Sequence, residues 1–284
     1  MNNDSPSQNK ATDAEKTNSD GVNDFSPSYW RKALDGTPAA IFYPAYIRFL
    51  QGLIVMHNAT LIIIGSKIAA DSGDESLKKL IDELDNSSDS KQHGSSFESF
   101  FASALFVNLI SEVEHFFVTC AETAIRTYPG KVGSTTFSLS DVLGAASTEE
   151  LIERAANKAL QGLMYEKPAD YLSGLCKLIS IDEKKLLQIW PNFVEMKARR
   201  DLGVHNNWIA NETYIRKLRQ VGFSNPPAIG VRLIPDLDYF GETVKIAKQL
   251  VQEMGALMAE NWLPPAQSAI FKTWAKRSSE LGED

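Results

Sequence analysis

The sequence predicts an all-α fold, an antiparallel helical bundle with additional peripheral helices and long loops. Three observations predict it. Long segments repeat their apolar residues at steps of three and four, as in Leu237, Phe240, Val244, Ala247, Val251, Met254 and Met258, the period of a helix face and not of a strand. The breaks between such segments hold prolines, glycines and capping residues, the punctuation of helix ends. Strand-like alternation is confined to Thr136–Leu139, enough for at most a small strand or an extended loop.

Residues 1–37 are rich in Asn, Ser, Asp, Thr and Pro, with almost no large apolar side chain before Phe25. Such a stretch cannot bury enough surface to offset its ordering entropy, so a disordered polar tail is expected. The main helical domain then spans 38–262, with 263–284 as a C-terminal helical extension. Pro38 and Pro44 open a helix whose positions Ile47, Leu50, Ile54, Leu61, Ile64 and Ile68 run to a stop at Asp71-Ser72-Gly73; the periodicity predicts a core helix. A short helix over Glu75–Leu84 and a polar loop over Asp85–Ser96 follow. Phe97–Thr127 is apolar on most faces, which marks a helix buried among others, and Tyr128-Pro129-Gly130 ends it. Ser147 with Glu150 three residues on is a capping-box pattern for a helix to about Leu163. Pro168 starts the next, Asp182 caps a short one to Trp190, and a helix from Pro191 reaches about His205. Asn211 caps a further helix through Tyr214, Ile215 and Leu218. The Pro- and Gly-rich stretch 223–235 is largely non-helical, the long seam from Leu237 packs on neighbouring helices or, alternatively, on a second copy, and Pro264-Pro265 precedes a last helix with Phe271 and Trp274.

With 284 residues, 43% hydrophobic and 23% charged, the chain has material for one large domain or two small ones. Its two cysteines, Cys120 and Cys176, lie inside apolar helical patterns, which predicts buried thiols in a reducing, cytoplasmic setting. The amino terminus lacks a basic-then-apolar leader, and the most apolar run, residues 49–65, is interrupted by Gln51, His57 and Asn58, so no membrane span is expected. A formal charge of −7 argues against a generic nucleic-acid coat. Charge placement qualifies that: residues 184–219 carry eight basic against three acidic side chains, net +5, leaving −12 elsewhere. Such a segment is either a local phosphate-binding face or a solvated helix surface.

The helix from Pro191 carries the chemistry. Phe193, Met196 and Arg200 follow at i, i+3 and i+7, putting a guanidinium on a stripe of core-type side chains, where it must meet an anion, a carboxylate or a wet interface. His205, the side chain type that titrates near neutrality, lies five residues on. Arg199, Asp201, Asn206 and Asn207 surround the pair, and upstream Glu112 and His115, three apart on the buried helix, can form a carboxylate–imidazole pair aimed at it or a plain surface pair. On an ideal helix, Arg200 and His205 stand about 140° apart. Either the helix distorts at Gly203, or a site is assembled from two copies.

Residues 199–206, Arg-Arg-Asp-Leu-Gly-Val-His-Asn, resemble the signature of the HEPN superfamily, all-helical nucleotide-binding and ribonuclease domains marked by an arginine, a polar residue, a few positions and a histidine. The stretch 111–117 ending near Tyr128-Pro129 is similar to the long helix that precedes the motif helix there. The resemblance covers about residues 40–260 and implies a homodimer whose motifs face one cleft, RNA as substrate, and a toxin or phage-defence role with an antitoxin or nucleotidyltransferase partner. By residue type, His205 would transfer protons, Arg200 hold the scissile phosphate, Asp201 and Asn206 orient them, Arg199 contact flanking phosphates, and Glu112 support the site.

No glycine-rich phosphate loop, paired-Asp motif, His-x3-His or Cys-x2-Cys site, or Gly-x-Ser-x-Gly elbow is present; no metal ligand set and no cofactor is expected. That leaves RNA cleavage by the 2′-hydroxyl itself as the leading expectation. The others are a non-catalytic helical module acting through a protein or nucleotide partner, and a structural block in which Arg200 pairs with Glu195 or Asp201.

Overall fold

The computed structural model describes residues 39–86, 96–133 and 136–280, with side chains described from 44 to 273 within those ranges. The tail 1–37 and most of the loop 85–96 lie outside the described residues. All regular structure within them is helical, apart from one isolated antiparallel bridge between Ile209 and Arg232.

Helices α1 (Ala39–Asp71) and α2 (Glu75–Asp85) form a hairpin. Gly73 turns it at φ +109°, and the Asp74 carboxylate accepts from the backbone of Ser76 and Leu77 at 3.1 Å, satisfying donors that a helix start leaves open. The Phe97 amide at the start of α3 (Phe97–Thr127) donates to the Asp85 carboxylate and ties the two ends together. Past a 3-10 turn at Pro129–Val132, the stretch expected as a small strand opens a one-turn helix, α4 (Leu139–Leu143). There Ser138 and Asp141 cap reciprocally, and a local capping box outcompetes a lone strand that has nothing to pair with. Helices α5 (Thr148–Met164) and α6 (Pro168–Ile179), a 3-10 turn at Glu183–Lys185, α7 (Trp190–His205), α8 (Glu212–Gln220), α9 (Leu237–Trp262) and α10 (Pro265–Glu280) complete the order.

Helix α3 is the axle. Phe106, Leu109, Ile110, Val113, Phe116, Phe117, Cys120 and Ala124 are fully buried along it, and α1, α5, α6, α7 and α9 pack against it. The seam on α9 buries Phe240, Ala247, Val251, Met254 and Met258 as expected, and Phe271 of α10 sits in the same core, its ring 5.3 Å from that of Tyr46. Both cysteines are buried; lost hydration pushes the Cys176 thiol up to about 12.

Helix α1 departs from expectation. The stripe predicted to be core points outward: Ile54, Leu61, Ile64 and Ile68 are 59%, 53%, 40% and 60% exposed. The buried face is instead Ala45, Phe49, Met56, Ile63 and Ala70. Helix α1 is apolar on both sides, so periodicity alone cannot choose which side meets α3. The face with small residues at its ends allows the closer approach. Both α1 over Pro44–Asp71 and α3 are long and apolar enough to cross a membrane by length and composition, α1 reaching well beyond the run 49–65 weighed from sequence.

Candidate functional site

Helix α7 is held at three points. The Trp190 indole donates to the Pro168 carbonyl at 2.9 Å, the Phe193 ring packs 5.3 Å from Phe117 at the core, and Ala198 and Leu202 join Ala210, Tyr214, Ile215 and Leu218 in a second small core under α8. The helix runs unbroken to His205. Beyond it, Asn207 and Trp208 both take left-handed backbone, φ 49° and 64°, a costly conformation for an indole-bearing residue. The turn closes through Trp208 N to Leu202 O at 3.1 Å and the Asn206 side-chain amide to Ile209 O at 2.6 Å. It swings the Trp208 ring onto Gly203, where a Cβ would stand 2.4 Å from the ring. Gly203 is therefore a docking notch and not a break. Of the two ways to bring Arg200 and His205 together, a distorted helix is not what this chain adopts; over an unbroken helix they stay about 140° apart around the axis and about 7.5 Å apart along it.

The two adjacent arginines meet different carboxylates. Arg199 turns inward to Glu195, 2.7 Å away and 5% exposed. Glu195 also accepts from the hydroxyls of Tyr214 at 2.7 Å and Tyr239 at 2.5 Å, while the Arg199 guanidinium stacks 3.8 Å above the Tyr239 ring. Burial works against the charge on Arg199, and Glu195 together with the Tyr239 and Tyr214 hydroxyls more than offsets it, so the guanidinium is held charged. Burial, with the Glu195 charge adding to it, raises both tyrosines well above the phenol range.

Arg200 turns outward to Glu114 of α3, shared with Lys197 one turn earlier. The three side chains remain 16–27% exposed. Asp201 lies 3.6 Å from the Arg200 guanidinium and takes Lys217 of α8 at 2.9 Å. The Nε of Arg200 is buried with no acceptor among the described residues, so the guanidinium is under-satisfied as it stands. Lys197 also rests 5.6 Å from the centre of the Tyr171 ring.

The sequence-derived set is only partly gathered. Arg200 and Asp201 are in contact; Arg199 belongs to the buried Glu195 cluster; Asn206 serves the turn; His205 is exposed at the end of α7. Glu112 faces α1, 3.4 Å from Arg48, and His115 is exposed, so the pair imagined to point at α7 does not form. Two residues on a helix differ by about 200°, so Glu114 reaches α7 and Glu112 cannot. Glu114 was legible: it continues the buried face of Ile110 and Phe117, as Arg200 continues that of Phe193, and opposite charges on two facing apolar stripes find each other. Glu195, weighed as a partner of Arg200, meets Arg199 four residues on instead; Tyr214, Tyr239 and Trp208 carried no such signal.

The basic segment is largely neutralised in place: Lys185 lies near Glu260 (3.8 Å), and Lys197, Arg199, Arg200 and Lys217 have the carboxylates described above. Exposed Arg216 and Arg219, with Glu212, Ile215, Gln220 and Ile229, line an open concavity on α8. No family model matches this sequence, and neither the curated proteins nor the solved structures contain a match.

Proposed function

We propose that the chain is a metal-independent endoribonuclease acting as a homodimer, with Arg200 and His205 as its catalytic residues. The observation that carries this reading is the Lys197–Glu114–Arg200 clamp: two cations on one carboxylate at a partly exposed position, one of them a guanidinium whose buried Nε has no acceptor among the described residues, on the helix that ends in an exposed histidine. A phosphate offers the same paired oxygens as the Glu114 carboxylate, and a guanidinium binds either in a forked geometry. In the reaction the RNA 2′-oxygen attacks its own phosphate, the bond to the 5′-oxygen breaks, and a 2′,3′-cyclic phosphate and a 5′-hydroxyl result. His205 removes the 2′-proton or delivers one to the leaving oxygen, and Arg200 stabilises the charge gathered on the phosphate. Because the two residues of one chain diverge, the reading requires the motifs of two chains to face one cleft. A toxin or phage-defence role, with an antitoxin or nucleotidyltransferase partner, follows from the HEPN resemblance.

The test is incubation of wild type and His205→Ala with a labelled structured RNA in excess EDTA. Cleavage by the wild type, leaving cyclic phosphate ends and falling about 10²- to 10⁴-fold in the variant, supports the reading; an intact RNA with a folded protein removes it. The same clamp supports a second reading, since Arg200 already has a carboxylate inside its own chain: a helical binding module that acts through a protein or nucleotide partner. Glu114→Gln separates the two. It frees the clamp and tightens RNA binding if the first holds, and leaves RNA uncut and unbound if the second does.

A further inference from the structure

Helix α1 carries an outward row with a stricter period than its packing on α3 requires. Ile47, Leu50, Ile54, His57, Leu61, Ile64 and Ile68 recur at alternating steps of three and four, three heptads without a slip, and from Ile54 onward every member of the row is exposed. A period of 3.5 residues is the signature of a helix that supercoils against another helix. Isoleucine fills three of the four places at one core position of the repeat, and one polar residue, His57, interrupts the other, a device that fixes register at some cost in stability. Val55 and Ile62, 67% and 69% exposed, widen the row on one side.

We infer that this row is the interface through which α1 packs against α1 of a second copy of this chain. Three other occupants fit less well. Ile47 and Leu50 lean on the core, and nothing among the described residues covers the row from Ile54 onward. Residues 1–37 carry large apolar side chains beyond Met1 only at Val22, Phe25, Tyr29, Trp30 and Leu34, fewer than the seven positions of the row. A lipid surface would be met by a helix with basic residues on its polar flank, whereas Arg48 and Lys67 are tied to Glu112 and Glu98 of α3, and immersion of α1 would carry those carboxylates with it. The exposed part of the row, Ile54 to Ile68, is about 21 Å long and a helix about 10–12 Å wide, roughly 230 Å² in flat projection before Val55 and Ile62 widen it, a patch of the few-hundred-Å² order that marks a contact. Stable interfaces bury about 800 Å² on each partner, so a dimer held by this row alone is of modest affinity and dissociates on dilution.

This seam is separate from the Arg200 clamp. Glu112 faces α1 and Glu114 faces α7 from opposite sides of α3, so the α1 pairing neither builds nor blocks a cleft between two motif helices. If both interfaces form, each copy joins two neighbours through different two-fold contacts.

The experiment is sedimentation of the full chain over a dilution series, with Leu61→Asp, Ile54→Asp and His57→Leu beside the wild type and vesicles of neutral phosphatidylcholine in a parallel flotation assay. Positions 54, 57 and 61 are exposed, so helicity by circular dichroism stays at the wild-type level. The expected result is a concentration-dependent dimer whose dissociation constant rises about a hundredfold or more with either aspartate and falls about tenfold with His57→Leu, and no flotation. A wild type monomeric throughout the series overturns the inference, as does a dimer indifferent to all three substitutions. Flotation abolished by Leu61→Asp overturns it in favour of a lipid surface.

Discussion

Two carboxylate–arginine contacts sit side by side on α7 and behave as different devices. Glu195 and Arg199 are sealed beneath Tyr214 and Tyr239, with the carboxylate receiving three donors. Glu114 and Arg200 stand at the edge, shared with Lys197, and the buried Nε of the guanidinium has no acceptor among the described residues. The residue types are the same. Burial and the number of donors differ, and these decide whether a pair holds the fold or remains open to exchange with another anion.

Removing the inner carboxylate is the most severe way to break the contrast. Glu195→Ala leaves Arg199 charged and two hydroxyls unpaired in the interior; a loss of about 3–5 kcal/mol in urea unfolding is expected, and a loss under 1 would show that Glu195 is no keystone. Gly203→Ala drives a methyl into the Trp208 ring and is expected to cost about 1–3 kcal/mol. Loss of near-ultraviolet signal from Trp208 would place the damage at the turn. Tyr239→Phe removes one donor from Glu195, for about 1 kcal/mol near neutral pH. That tyrosine and Tyr214 also set an alkaline limit. Their folded values are raised above the ordinary value of about 10, so the fold binds protons that the unfolded chain has released. The stability they add is complete below about pH 10 and drains away as pH climbs towards the raised values. An alkaline melt should therefore steepen past pH 10, and less so in Tyr239→Phe. The smallest effect on stability belongs to the outer pair: Arg200→Ala is expected to shift unfolding by about 1 kcal/mol or less, and on the proposed reading it abolishes RNA cleavage, which would separate the roles of the two arginines in one experiment.

How much of this could be read in advance depended on the range of the forces involved. Helix ends were legible because caps and prolines act within four residues: Asn211, Ser147, Pro168 and Pro191 open helices where their chemistry says they should. The arginine on the α7 stripe was legible as an anomaly needing an anion, though its partner was sought two residues away from Glu114. Gly203 was misread as a weak point because the ring that fills its notch arrives from a turn whose left-handed residues are asparagine and tryptophan, a pairing that no local preference foretells.

By itself, then, the sequence determined that the described chain is all helical, where most helices start and stop, that α3 is apolar on most faces and packed among other helices, and that one arginine on α7 must answer to an anion. Only the tertiary structure decided which of two apolar faces of α1 meets α3, which of two neighbouring glutamates on α3 meets Arg200, and that Arg199 turns in while Arg200 turns out. The physical reason is that period and capping are properties of one helix, whereas a choice between equivalent faces is made by the shape and charge of whatever packs against it.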